Sequence, residues 1–413
     1  MTKKKKFILI LILGMNTAIG PFSIDMYLPS FAAIATDLHT TIAHVSLSLS
    51  SFFIGISIGQ FLYGPLLDRY GRKKPLYLGL SLYLIASAMC ALAQTADMLI
   101  ALRFLQALGG CAGMVAARAM VRDLFSVEDN AKVFSMLMLV VGVSPIIAPT
   151  LGGYITAEFG WHYIFVILTV MALVILLMVR FLLPESRLPD PSYSLKPKAI
   201  AGNFWMVLNE PQFYTYAFTG AVAAAGLYAY IAGSPGVFLE IFKVSEKQYG
   251  WIFALVAAGL ILATQINSLL LRKYKSEQIV PVALFFQSLA GISLFVGFLT
   301  GWIGIVGTIL LILVFLSCQG FTFPNSSALS MAPFTKNAGS ASALMGAIQM
   351  GIGALTSAMV SFMSNGTALP MSGVMAACAI TSFCILNIGG RFIRYKTARL
   401  KVEEESVDMI CNS

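Results

Sequence analysis

The sequence predicts an all-α integral membrane protein with twelve transmembrane helices in two six-helix bundles, and three observations carry that expectation. Of the 413 residues, 58% are hydrophobic and only 11% are Asp, Glu, Lys or Arg, less than half the roughly 25% charged fraction of a soluble domain. Hydrophobic runs, each near the length of about 20 residues that a membrane-spanning helix needs, recur twelve times between polar or Gly/Pro-rich breaks. Lys and Arg then fall almost wholly on one side of those runs, as they do in cytoplasmic loops. Little chain is left for a folded soluble domain. The net charge of +9 therefore reads as a record of topology, not as a nucleic-acid surface.

The first run follows Lys3-Lys4-Lys5-Lys6 and extends from Phe7 to Leu28. It is too long for the 7 to 15 apolar residues of a signal peptide, so it reads as an uncleaved span despite the cleavage-like Ala33-Ile34-Ala35. The expected spans are 7–29, 43–64, 75–94, 98–121, 133–156 and 162–183, then 212–238, 249–271, 279–299, 303–329, 340–363 and 371–390. Between the two sets, residues 184–211 carry Pro184, Pro189, Pro191, Pro197 and Pro211, a composition that suits a linker. The chain thus divides into a bundle over 1–183, the linker, a bundle over 212–390 and a tail over 391–413.

With the N-terminus inside, 23 of the 27 Lys and Arg are cytoplasmic, Lys243 and Lys247 are external, and Arg103 and Arg118 fall inside span 4. Both termini and the linker are therefore expected in the cytoplasm. The basic part of the tail is expected to meet anionic headgroups. Five of the six cysteines (Cys90, Cys111, Cys318, Cys378, Cys384) lie in apolar runs without metal-ligand spacing and read as small core residues. His39, His44 and His162 fall in or beside external loops.

Against this background the few charged and strained positions stand out. Gly64-Pro65-Leu66-Leu67-Asp68-Arg69-Tyr70-Gly71-Arg72-Lys73-Lys74 joins spans 2 and 3. Gly71 suits the tight turn, Gly64 suits close helix approach, and Asp68 with Arg69 and Arg72 offers a charged latch. The matching turn of the second half, Leu271 to Lys275, is basic but has no Asp. Arg103 sits about five residues inside span 4, where an arginine costs roughly 2.5 to 3.5 kcal/mol at the membrane centre on insertion scales. It either snorkels outward or faces a cavity and tunes an acid. Arg118 lies nearer the inner face, with the same two readings.

Asp25, in Ile24-Asp25-Met26-Tyr27-Leu28-Pro29, is the one acid placed within a span. Pro29 has no N–H for the Asp25 carbonyl, so the helix should weaken at the acid itself. Span 5 carries Pro145, Pro149, Gly152 and Gly153, which bend a helix and let others approach. Tyr27, Gln106, Arg118, Tyr228, Tyr230, Asn325 and Gln349 are candidates for lining a substrate cavity. Gln265, Asn267 and Gln319 are polar span residues of the same kind. No nucleotide-binding G-x-x-x-x-G-K-[ST] run and no His/Cys/Asp cluster for catalysis occurs in the sequence, so neither an enzyme nor a cofactor is expected.

The Gly64 to Lys74 loop matches the G-x-L-x-D-R-x-G-R-[RK] signature of the major facilitator superfamily. Leu102-Arg103-Phe104-Leu105-Gln106-Ala107-Leu108-Gly109-Gly110 resembles its fourth-span motif. Gly142 to Gly153 resembles its antiporter motif G-P-x-x-G-G, with Ala148 replacing the first glycine. Together with the Asp25 to Pro29 stretch, these motifs resemble the Bcr/CflA (bicyclomycin resistance) family of drug:proton antiporters. The resemblance implies proton-driven export of drugs or small metabolites. The residues themselves make Asp25, tuned by Arg103, the expected proton carrier, and a monomer in the bacterial inner membrane is expected, with small-molecule substrate, protons and lipid as its partners. A proton-coupled uptake symporter of the same fold is the alternative, and the antiporter-like stretch favours export.

Overall fold

The computed structural model describes residues 3–190, 197–334 and 338–411. The described chain is helical throughout: α1 Lys3–Asp25, α2 Phe31–Asp37, α3 Ile42–Tyr70, α4 Lys73–Cys90, α5 Ala96–Leu124, α6 Val127–Phe159, α7 His162–Phe181, α8 Pro197–Leu208, α9 Pro211–Pro235, α10 Glu246–Leu270, α11 Ser276–Thr300, α12 Ile305–Met331, α13 Ala338–Phe362 and α14 Leu369–Cys411. Eleven of the membrane crossings, counting α1 to α2 as one, are long and apolar enough to span a bilayer on their own. The twelfth is α4, 18 residues that begin with Lys73 and Lys74; it packs into the first bundle against α5 and α7. Local chemistry starts several of these helices where the sequence allows. Thr41 and Thr95 accept from the backbone N–H of His44 and Met98, and Ser245 with Gln248 forms a reciprocal cap on α10.

Four sequence expectations need correction. The first span does not stop at Pro29: α1 ends at Asp25, a turn and a 3-10 segment Leu28–Ser30 follow, and the chain continues as α2 to Asp37. Proline without an N–H interrupts a helix, but the flanking residues here re-enter it. The 184–211 linker is not wholly irregular, because Pro197 opens the 12-residue helix α8, as a proline in the first turn permits. Its stretch 191–196 lies outside the described residues. The last span runs on as helix to Cys411, 21 residues beyond its expected end at 390; the expected headgroup contacts of the tail rest on side chains outside those described. Among the cysteines, Cys90, Cys111 and Cys318 are buried as expected, whereas Cys384 is exposed on the outer surface of α14.

The two bundles meet along two seams. In one, α3 runs beside α13; in the other, α6 runs beside α10. Among the described residues, α1 and α5 of the first bundle pack at most weakly on α9 and α12 of the second across the middle, and so border a central gap. Calling the end that carries Gly71 and α8 the linker end, the α3–α13 seam holds from Ser57, which donates to the Ala347 carbonyl at 3.0 Å, and Gln60, which abuts Gly346, up to the opposite, far end. There Ser46 bonds Ser361, Ser50 bonds Ser357 at 2.9 Å, and Lys247 bonds Glu158 at 2.6 Å. A Cβ on Gly153 would lie 2.5 Å from the Glu246 carbonyl, and one on Gly250 would lie 2.8 Å from that of Pro149. Such spacing needs glycine, and it seals α6 to α10. The far-end histidines sit in surface pairs, His44 with Asp97 at 3.0 Å and His162 with Asp37 at 3.8 Å.

Candidate functional site

Asp25 is the last residue of α1, and the helix breaks at it. The Met26 N–H still reaches the Phe22 carbonyl, the Ser30 N–H turns back to Tyr27, and the Pro29 nitrogen has no hydrogen to offer. This break is packed from outside by Gly152 of α6, whose Cβ, if present, would overlap the Met26 carbonyl oxygen. Ser30 joins Thr156 of α6 at 2.6 Å. The antiporter-like stretch therefore does two things: Gly152 closes on the break beside Asp25, and Gly153 closes on the other bundle. Pro145 and Pro149 lie within the 33-residue α6, which remains one helix around them.

The Asp25 side chain is 5% exposed. It lies within electrostatic reach of three tyrosines of the second bundle, Tyr228 and Tyr230 on α9 and Tyr249 on α10. Among the described residues no basic side chain pairs with it. Tyr249 is held by Ser234 at 2.8 Å, and the buried Tyr230 hydroxyl has no hydrogen-bond partner while its ring stacks on Phe253.

Arg103 is neither snorkelling nor cavity-facing, and it is not beside Asp25. It is 0% exposed. Its guanidinium donates to the Ser23 carbonyl at 2.7 Å and to Gln106 Oε1, and it stands 4.3 Å from the Tyr27 ring centroid and 4.1 Å from that of Phe52. Ser23 and Asp25 are two residues apart on α1, which places them on nearly opposite sides of the helix. A planar, delocalised cation tolerates this cage of ring faces better than an ammonium would. Gln106 and Tyr27 belong to the cage and not to a cavity: Gln106 donates to Ser87 at 2.7 Å, and the Tyr27 hydroxyl meets Ser48 at 2.9 Å.

Two other cavity candidates are also packed away. Asn325 is buried and donates to Asn267 at 2.7 Å while Ser276 donates to Asn325 at 2.7 Å. Gln319 packs against the α9 backbone at Ala223 and Ala224. Bordering the gap are Tyr228, edge-on to Phe53 at 4.8 Å across the bundles, and Gln349, whose amide reaches the Tyr228 hydroxyl at 3.4 Å. Tyr228, although mostly buried, is thus within reach of Asp25 and in contact with Phe53 of the facing bundle. Arg118 is exposed.

At the linker end, Gly71 adopts φ +81°, which the tight turn requires of a residue without Cβ. Gly64 makes no close approach: a Cβ there would meet nothing within 4 Å, whereas one turn earlier Gln60 abuts Gly346 of α13. Asp68 accepts from Arg72 at 2.8 Å and from Arg187 at 3.5 Å, and Arg72 donates Nε to Asp123 at 2.7 Å. Arg69 contributes its backbone carbonyl, which accepts from the Asp190 N–H at 3.1 Å. Among the described residues, every one of these partners belongs to the first bundle or to the start of the linker, so the described part of the network ties that bundle to itself. Burial alone would lower the Arg72 pKa, but its hydrogen bonds to Asp123 and Asp68 and their charges raise it above the ordinary value. Glu185, unremarked in the sequence, caps α4 by accepting from the Arg72 N–H at 2.8 Å and from that of Lys73. Only the pairing of distant segments reveals that role.

The second bundle has a neutral counterpart at the matching place. Asn267 near the end of α10, Ser276 at the start of α11 and Asn325 in α12 are joined as Asp68, Arg72 and Asp123 join α3, α4 and α5. The missing acid is replaced by an amide–amide–hydroxyl clamp.

Comparison with known proteins agrees with this architecture. Residues 13–358 match the family described as Major Facilitator Superfamily. The bicyclomycin resistance protein homolog of Haemophilus influenzae is 32% identical over 383 residues, 92% of this chain and 95% of that protein. The multidrug resistance protein MdtL of Escherichia coli is 29% identical over 89% of this chain and 91% of its own length. Among solved structures, a bacterial homolog of the lysosomal transporter Spinster, inward-facing and unoccupied, superposes with a TM-score of 0.70 at 15% identity, covering 95% of this chain and 97% of that one. A D-xylose-proton symporter gives the same TM-score at 16% identity, over 92% of this chain and 97% of its own; these two likenesses concern the fold. The helical count, the seams around a central gap and the full-length relatives converge: the chain belongs to the major facilitator superfamily, a family of secondary transporters and not of enzymes, alongside bicyclomycin-resistance-type proteins.

Proposed function

We propose that this protein exports drugs or small metabolites across the bacterial inner membrane in exchange for protons, by rocking its two bundles about the central gap. On this reading the linker end and both termini are cytoplasmic, as the distribution of Lys and Arg favours. The conformation with a sealed far end then faces inward. The observation that carries the proposal is Asp25: the sole acid within the spans, at a helix break, under the far-end seal and against tyrosines of the opposite bundle. Rocking that opens the far end separates the first bundle from the second. It changes the surroundings of this carboxyl from closed protein to external water, which is what a proton carrier needs in order to load on one side and unload on the other. The names of the curated relatives support export of antimicrobial compounds as the direction and substrate type. Arg103 holds the α1 backbone beside the break and acts on the proton site through position.

The test uses purified protein in sealed vesicles with an imposed pH gradient and no nucleotide, offered a panel of anionic, neutral and cationic fluorescent compounds. Wild type is expected to move at least one compound against its gradient in exchange for protons, and Asp25→Asn to lose that coupling while retaining passive exchange. Gradient-driven transport by Asp25→Asn equal to wild type would overturn the assignment of the carrier. Movement of compound in the same direction as protons would replace export by uptake.

A further inference from the structure

We infer that Arg118 is the recognition point for an anionic group, so that the transported compounds are organic anions or zwitterions in which a carboxylate, sulfonate or phosphate is joined to an apolar, ring-bearing body. The inference rests on the transport reading above and gives its substrate a chemical class.

Arg118 occupies a defined strip of α5. Four residues before it, Met114 packs on Gly20 of α1; seven residues before it, Cys111 packs on Gly59 of α3. The side chain therefore emerges between α1 and α3. Since α3 packs on α13 and the α1 break packs on α9 and α10, this strip looks across the central gap to the second bundle. The lipid-side residues of α5, Ala101 and Leu105, are exposed elsewhere; at 3.6 residues per turn, Leu105 lies about 140° around the helix from Arg118. The arginine is thus not reaching to the headgroups along the outer surface.

No hydrogen bond or ion pair joins Arg118 to another described residue. Apart from Arg180 in the last turn of α7, the charges within the expected spans are Asp25, Arg103 and Arg118. Arg103 is caged. Because Met114 sits against Gly20 and α1 and α5 run in opposite directions, Asp25 lies five residues towards the far end and Arg118 four residues towards the linker end of that contact. At 1.5 Å per residue this separates them by about 14 Å along the axis, far beyond the N···O contact distance of an ion pair. Asp25 is not its counter-ion.

A solvent-accessible guanidinium with no partner among the described residues, in a mostly apolar gap, concentrates anions and repels cations. Its planar fork matches a carboxylate, sulfonate or phosphate in two-point contact. The opposite wall suits the remainder of such a molecule: Tyr216, Phe323, Met345 and Gln349 line a recess in the second bundle, next to Tyr228 and Met350. Thioethers and ring faces accept varied apolar shapes.

The test is equilibrium binding to the purified full-length chain with no gradient, read by fluorescence anisotropy of carboxyfluorescein and of ethidium as anionic and cationic probes. Wild type is expected to bind carboxyfluorescein more tightly than ethidium, with affinity falling as salt rises. Arg118→Gln is expected to weaken carboxyfluorescein binding at least tenfold without weakening ethidium, and Arg118→Lys to retain most of it. Should Arg118→Gln fail to fold, the wild-type preference and its salt dependence, with Arg118→Lys, decide the matter. Equal carboxyfluorescein binding by Arg118→Gln, a wild-type preference for ethidium, anion binding indifferent to salt, or binding of neither probe would each overturn the inference. Since no gradient is present, these outcomes are separate from the coupling test on Asp25.

Discussion

Replacing Gly153 by alanine should shift the protein away from the conformation described above, because the added methyl group has no room between the bundles. Its Cβ would stand 2.5 Å from the Glu246 carbonyl oxygen, 3.0 Å from that carbonyl carbon and 3.3 Å from the Lys247 Cα. Ordinary contact begins at 3.4 Å, so α6 and α10 must part by about 0.9 Å, the difference between 3.4 and 2.5. The obstructing atoms are backbone in the first turn of α10, which no rotamer change can move. Inserting a methyl group into such packing costs about 1 to 3 kcal/mol, or a factor of roughly 5 to 150 in the ratio of far-end-closed to far-end-open protein. The cost is relieved when the far end opens, so it acts on one state. Gly142→Ala on the same helix is the control, since its nearest neighbour would be Ile261 at 4.0 Å. Spin labels on Phe159→Cys and Trp251→Cys, both exposed at the far ends of α6 and α10, report the separation in a cysteine-depleted background. Gly153→Ala should add a longer component to the distance distribution, and Gly142→Ala should not. A Gly153→Ala distribution identical to the parent would refute the claim that backbone contact at this glycine seals the far end.

Two further outcomes follow from the buried cations. Arg72→Gln breaks the link between Asp68 and Asp123, and the loss of charge-assisted bonds from a nearly buried arginine should cost about 1.5 to 3 kcal/mol; Arg72→Lys should recover less than half, because a single ammonium cannot reproduce the Nε and Nη contacts to two carboxylates. Thermal unfolding in detergent, compared with Asp68→Asn, which keeps the Asp123 contact and should cost less, checks both statements. Arg103→Lys should destabilise the first bundle by about 1 to 3 kcal/mol, since an ammonium loses the stacking between Tyr27 and Phe52 and is more strongly hydrated; an unfolding midpoint equal to wild type would show that the aromatic cage contributes nothing.

The sequence by itself determined the fold class, the number of crossings, the Gly71 turn and the Pro29 break, because each is written in local terms, whereas the close approach expected at Gly64 is absent. An apolar run of twenty residues is a span wherever it packs. The Gly71 turn needs only its own φ, and Pro29 denies a hydrogen bond four residues back whatever surrounds it. The tertiary structure decided which polar residues meet. Asp25 and Arg103 look like partners because both are rare charges at similar depth, yet the 3.6-residue turn sends Ser23 towards Arg103 and Asp25 towards the tyrosines of the other bundle. Gln106 and Asn325 look like cavity residues, but a polar side chain in a span is satisfied by whichever helix lies beside it, and these two found Ser87 and Asn267. Arg118 is the converse case: it stays solvent-accessible, and no described side chain hydrogen-bonds or pairs with it. Helical periodicity is read along one chain segment, whereas the identity of the neighbour across a groove depends on the packing of all the crossings together.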